Sequence, residues 1–99
     1  MNKKKYSNIN EVRDSIDRID EQIINLISKR KILVVEAVRL KNRDQIIDQE
    51  RIERIIKKLN VEAQKKNLPD GLVEKLWRTM IKEFIDYEER IFDKVHQED

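Results

Sequence analysis

Residues 12–42 read VRDSIDRIDEQIINLISKRKILVVEAVRLKN. Apolar side chains recur at Val12, Ile16, Ile19, Ile23, Leu26, Leu33, Ala37 and Leu40, in steps of three and four with one of seven. That is the spacing of one helix face. Neither Pro nor Gly interrupts the stretch. Asn8 or Asn10 can cap its start. The pattern predicts a helix of about 33 residues, about 50 Å long. A compact chain of this size has a radius of gyration of about 13 Å, so the helix outreaches the rest.

Working outward, residues 42–47 read as a polar loop. Asp48 is placed to cap a second helix, with Ile52, Ile55, Ile56, Leu59 and Ala63 as its apolar stripe to about Lys66. Asn67-Leu68-Pro69-Asp70-Gly71 is the clearest break. A third helix follows, with Val73, Leu76, Trp77, Met80, Ile81, Phe84, Ile85, Ile91 and Val95 facing inward. The expectation is an all-α chain of one long and two shorter helices. It forms a single domain over residues 1–99, with a core of about 9–92 and frayed ends.

Composition narrows the class further. One Gly and one Pro are too few for the turns of a sandwich or barrel. No Cys excludes disulfides and thiolate metal sites, and a single His, His96, makes zinc implausible. Lys and Arg number 22 against 20 Asp and Glu, a balance that fits solvated helix faces rather than a polyanion-binding surface. The basic pairs Lys57-Lys58 and Lys65-Lys66 are interleaved with acids and carry few aromatics, which argues against nucleic acid. Lys3, Lys4 and Lys5 precede no apolar signal segment. The apolar runs, such as Ile32-Leu33-Val34-Val35, fall far short of the ~20 residues of a membrane span. A soluble, cytoplasmic protein is expected.

A single long helix would leave its apolar stripe exposed beyond two shorter partners. An intertwined homodimer of six helices, its long helices antiparallel, removes that exposure. A three-helix monomer with a bent first helix is the alternative.

Charges interrupt the stripes. Arg30 falls between Leu26 and Leu33 on the apolar seam. Lys41, eleven residues on, is rotated by only about 20° from Arg30 and lies about 16 Å along the axis. Glu88 follows Phe84 by four residues on the third helix's seam. Each can be explained singly, by snorkelling of a cation or by a Glu–Lys pair. Together they call for a match, because buried charge is costly without one. An anionic small molecule is one such match for Arg30 and Lys41.

Arg13 lies 17 residues before Arg30, about 25 Å away on the same helix. In an antiparallel pair crossing at the uncharged segment Gln22-Ile23-Ile24-Asn25-Leu26-Ile27, Arg13 of one chain comes alongside the Arg30–Lys41 segment of the other. Alternatively, Arg13 is a surface residue pairing with Asp17, four positions on.

These residues carry a resemblance. Val12-Arg13-Asp14-Ser15-Ile16-Asp17-Arg18-Ile19-Asp20, followed by Leu26-Ile27-Ser28-Lys29-Arg30, resembles the opening helix of the all-helical chorismate mutases. Lys41 stands at that family's lysine position. Asp48-Gln49-Glu50-Arg51 is similar to the start of its second helix, and Leu76-Trp77-Arg78-Thr79-Met80-Ile81 through Tyr87-Glu88 to its third.

The resemblance implies the intertwined dimer and a pericyclic reaction, chorismate to prephenate, without a metal or cofactor. It implies that Arg30 and the partner's Arg13 hold the substrate's two carboxylates. Lys41 sits near a carboxylate and the ether oxygen, Glu50 accepts from the ring hydroxyl, and Glu88 lies beside the ether oxygen. Gln49 and Phe84 stand at substrate-facing positions where they depart from the usual Arg and small polar residue. Ile46 falls near a frequent Asp. Isochorismate-pyruvate lyases, which form salicylate, and amino-deoxychorismate mutases share this frame and remain alternatives. So does a non-catalytic helical dimerisation module, which would have no reason to put Arg30, Lys41 and Glu88 on its apolar seams.

Overall fold

Asn8 starts the first helix: its side-chain oxygen accepts from the Glu11 amide at 3.0 Å. The Glu11 carboxylate reaches back to the Ser7 amide at 2.9 Å. The Glu11 amide is a donor that the first turn would leave open, and the Ser7 contact ties the residue before the cap to the helix. Of the two candidate caps, the computed structural model selects Asn8 over Asn10. It describes residues 5–97. The termini expected to fray, and the Lys3-Lys4 pair, thus lie partly or wholly outside the described residues.

Helix α1 spans Ile9–Leu40. It ends two residues before the expected Asn42, and the reason is local. The Asn42 amide, which would continue the ladder, donates instead to the Gln45 side chain at 2.7 Å. The Lys41 amide turns back to the Val38 carbonyl at 3.2 Å. A short 3₁₀ turn, Arg43–Gln45, occupies the connecting segment. That segment is not wholly polar as expected: Ile46 is buried and belongs to the core.

Helix α2, Gln49–Lys65, opens on Asp48, whose carboxylate accepts from the Arg51 amide at 3.0 Å. Its end has the geometry of a Schellman motif. The Leu68 amide returns to the Ala63 carbonyl and the Asn67 amide to Gln64, with Asn67 at φ 56°. Asparagine tolerates that left-handed conformation better than most residues. Pro69 then cannot continue a helix, and Gly71, at φ 79°, precedes helix α3, Leu72–Gln97. The regular structure among the described residues is all helical, with no strand.

The chain divides into two units, one running to Leu33 and one beginning at Val34. In the first, the stripe that periodicity marked as inward is exposed: Ile16, Ile19, Ile23 and Leu26 are each about half or more accessible. In the second, Val38, Ile46, Ile56 and Ile81 form the buried core. Leu76, expected to face inward on α3, is 55% exposed, because within one chain nothing covers it. No helix among the described residues is long and apolar enough to cross a membrane.

Candidate functional site

Lys41 follows directly on the last residue of α1, where the tightened turn fixes its backbone. Its Nζ meets Glu88 Oε1 of α3 at 3.0 Å. The Lys41 side chain is 30% exposed, and Glu88 is 6% exposed, the one buried charged side chain among the described residues. The two seam charges, distant in sequence, therefore satisfy one another in the chain. That revises the expectation that Lys41 is an unmatched inward cation: its first counter-charge is Glu88.

A cavity of about 490 Å³ opens beside this pair, lined by Leu40, Lys41, Asp44, Gln45, Ile47, Asp48, Gln49 and Glu50. Lys41, Gln49 and Glu50 thus share one hollow where the connecting segment meets the start of α2. Gln49 is anchored by donating to Glu53 at 3.0 Å. Glu50 is exposed, and Phe84 is half-buried one turn before Glu88 on α3. In the first unit, Arg30 is half-buried with one terminal guanidinium nitrogen inaccessible, and Arg13 is exposed.

Sequence reasoning named Lys41, Gln49 and Glu50 but not Leu40, Asp44, Gln45, Ile47 or Asp48 as walls. Their signal was proximity, since a connection this short keeps its residues beside Lys41. Of the ionisable groups lining the cavity, Asp44, Asp48 and Glu50 are acids and Lys41 is the cation. A dicarboxylate bound there needs further positive charge.

A second cavity, of about 540 Å³, lies at the elbow between α2 and α3 and carries none of the expected site residues. Its polar wall is a network around Arg78, which donates to both oxygens of Glu53 at 2.9 and 3.0 Å and to Glu74 at 2.9 Å. Asn60 donates to the other Glu74 oxygen at 2.9 Å. The Arg78 hydrogen bond holds the Glu53 carboxyl below its ordinary value. Asn60 first, then Arg78, does the same for Glu74. Arg78 is held more firmly protonated by Glu53 and Glu74 in return. Among the described residues, no group of three or more His, Cys, Asp or Glu side chains is placed to hold a metal ion.

Residues 12–89 match the chorismate mutase type II family. Two curated relatives are bifunctional chorismate mutase/prephenate dehydratases of Buchnera aphidicola. The protein from subspecies Schizaphis graminum is 31% identical over 84 residues, and that from subspecies Acyrthosiphon pisum is 30% identical over 84. Each alignment covers 83% of this chain but 22% of the relative, so the chain spans about a fifth of the length of the curated relatives it matches. No solved structure matches significantly. The family match takes in all of α2, most of α1 and α3 and the Lys41–Glu88 pair, and the chain belongs to the chorismate mutase type II family.

Proposed function

We propose that this chain is a chorismate mutase that rearranges chorismate to prephenate, and so serves aromatic amino acid biosynthesis. The observation that carries the reading is the Lys41–Glu88 pair beside a cavity that also holds Gln49 and Glu50, in a member of this family.

The site is completed by a second copy of the chain. The exposed stripe Ile16, Ile19, Ile23 and Leu26 is an apolar surface that one chain leaves in water. An antiparallel partner helix covers it and brings the partner's Arg13 towards Arg30. The excess of acids around Lys41 makes this supply of guanidinium groups necessary. Arginine suits the task because its planar fork matches a carboxylate with two parallel donors.

The chemistry then needs no nucleophile. The ether C–O bond breaks as a C–C bond forms within one molecule. Clamping both carboxylates holds the flexible dianion in its reactive conformation. Negative charge grows on the ether oxygen, and a donor aimed there lowers the barrier. Lys41 is one such donor. Glu88 is a second only in its protonated form, because a carboxylate repels the developing charge. Glu50 accepts from the ring hydroxyl, and Gln49 and Phe84 line the ring.

The test is product identification from purified chain incubated separately with chorismate and with isochorismate. Chorismate consumption with prephenate formed supports the reading. Salicylate and pyruvate from isochorismate, with chorismate untouched, assigns the lyase instead. Inertness towards both leaves the amino-deoxychorismate mutase and the dimerisation module.

A further inference from the structure

At the end of α1 the Val38 carbonyl is fully buried and has lost its regular helical partner, since the Asn42 amide donates to Gln45. Two other donors take its place. One is the Lys41 amide at 3.2 Å. The other is His96 Nε2, near the end of α3, at 2.9 Å. A carbonyl only accepts, so the hydrogen sits on Nε2 and the tautomer is fixed by this contact.

His96 is itself held in place. Its ring stacks on Phe92, four residues earlier on α3, with centroids 4.0 Å apart and planes 23° apart. The Arg43 guanidinium lies over the same ring at 4.5 Å from its centroid and pairs with Asp93. The Phe92 ring thus contacts both the His96 imidazole and the Arg43 guanidinium. The last turns of α3 therefore grip both the end of α1, through Val38, and the connecting segment, through Arg43.

We propose that His96 is a positioning residue for Lys41, acting through the Val38 carbonyl. Helix α3 holds Lys41 at both ends: Glu88 engages the ammonium and His96 fixes the turn from which the side chain departs. His96 touches no substrate in this account. It sets where the Lys41 backbone lies, and a displacement of about 1 Å at a catalytic group costs up to about a hundredfold in rate. The proposal rests on the reading of Lys41 as a site residue.

Two variants separate the hydrogen bond from the stack. His96→Phe keeps an aromatic ring on Phe92 and removes the donor. His96→Gln keeps an N–H within reach of Val38 and removes the ring. With chorismate, His96→Phe should lower kcat about tenfold with KM within about threefold, and His96→Gln should stay within about twofold of wild type. Hydrogen exchange of the Lys41 amide, read by NMR, should quicken about tenfold in His96→Phe and stay near wild type in His96→Gln. The wild-type imidazole should show the ¹⁵N signature of the Nε2–H tautomer.

The Nδ1–H tautomer, unchanged Lys41 exchange in His96→Phe, or equal losses of kcat in both variants would overturn the proposal. If wild-type protein does not convert chorismate, the functional reading fails, while tautomer and exchange still decide the His96–Val38 bond.

Discussion

Lys41 Nζ and Glu88 Oε1 lie 3.0 Å apart, joining the end of the first helix to a buried carboxylate on the third. This pair has both a structural and a chemical consequence, and the two are separable by mutation.

Lys41→Met removes the cation and leaves Glu88 buried without its counter-charge. We predict a destabilisation of about 1–3 kcal/mol in urea denaturation. Lys41→Met combined with Glu88→Leu should recover most of that loss, because replacing both partners by apolar groups removes the buried charge. Both variants should be inactive towards chorismate. Equal instability of the single and double variants would show that the pair does not couple.

For Glu88 to donate to the ether oxygen it must be protonated, so kcat/KM for chorismate should fall as pH rises. Glu88→Gln is a permanent donor of similar shape. It should flatten that fall and keep activity at alkaline pH. The same alkaline loss in Glu88→Gln would leave Lys41 as the donor to the ether oxygen.

The network around Arg78 gives a pH dependence of stability. Glu53 and Glu74 are held below the ordinary 4.5 in the folded chain. Their contribution is therefore present above that value and is lost as pH falls through the lowered ones. Arg78→Met should have a lower melting temperature than wild type at neutral pH. The gap should close as the pH is taken below the ordinary 4.5 and on through the lowered values. A gap constant from neutral to acid would mean that the network contributes nothing through charge.

Leu26 separates the chain alone from the dimer. It is 62% exposed in one chain, and exposed substitutions change stability by only about 0.5 kcal/mol. Leu26→Glu should nevertheless abolish the dimer in analytical ultracentrifugation and remove activity, because the charge would fall in the shared interface. A fully active Leu26→Glu monomer would end the shared-site proposal.

The helices were legible because each signal for them is local. Apolar spacing, Asp48 as a cap and the Pro69–Gly71 break need only neighbouring residues. Lys41 and Glu88 were legible as violations of that spacing, and the fold brings them together. Features that depend on a distant partner were not legible. The Glu74–Arg78 pair has helical spacing, but Glu53 joins it only once α2 lies along α3. His96 gave no metal pattern and stood as a tail residue; its partner is a backbone carbonyl 58 positions away. Ile46 looked like part of a polar loop, and only the tight 3₁₀ turn before it directs it into the core.

The central claim, a cationic site shared between two copies, is tested most directly by kcat/KM for chorismate in a heterodimer of Arg13→Ala and Arg30→Ala chains. Each parent homodimer should lose about two to three orders of magnitude, the scale for one charge-stabilising donor. In the heterodimer one site keeps both arginines and the other has neither, so about half of the wild-type activity should return. Verified heterodimers no more active than their parents would contradict the shared site.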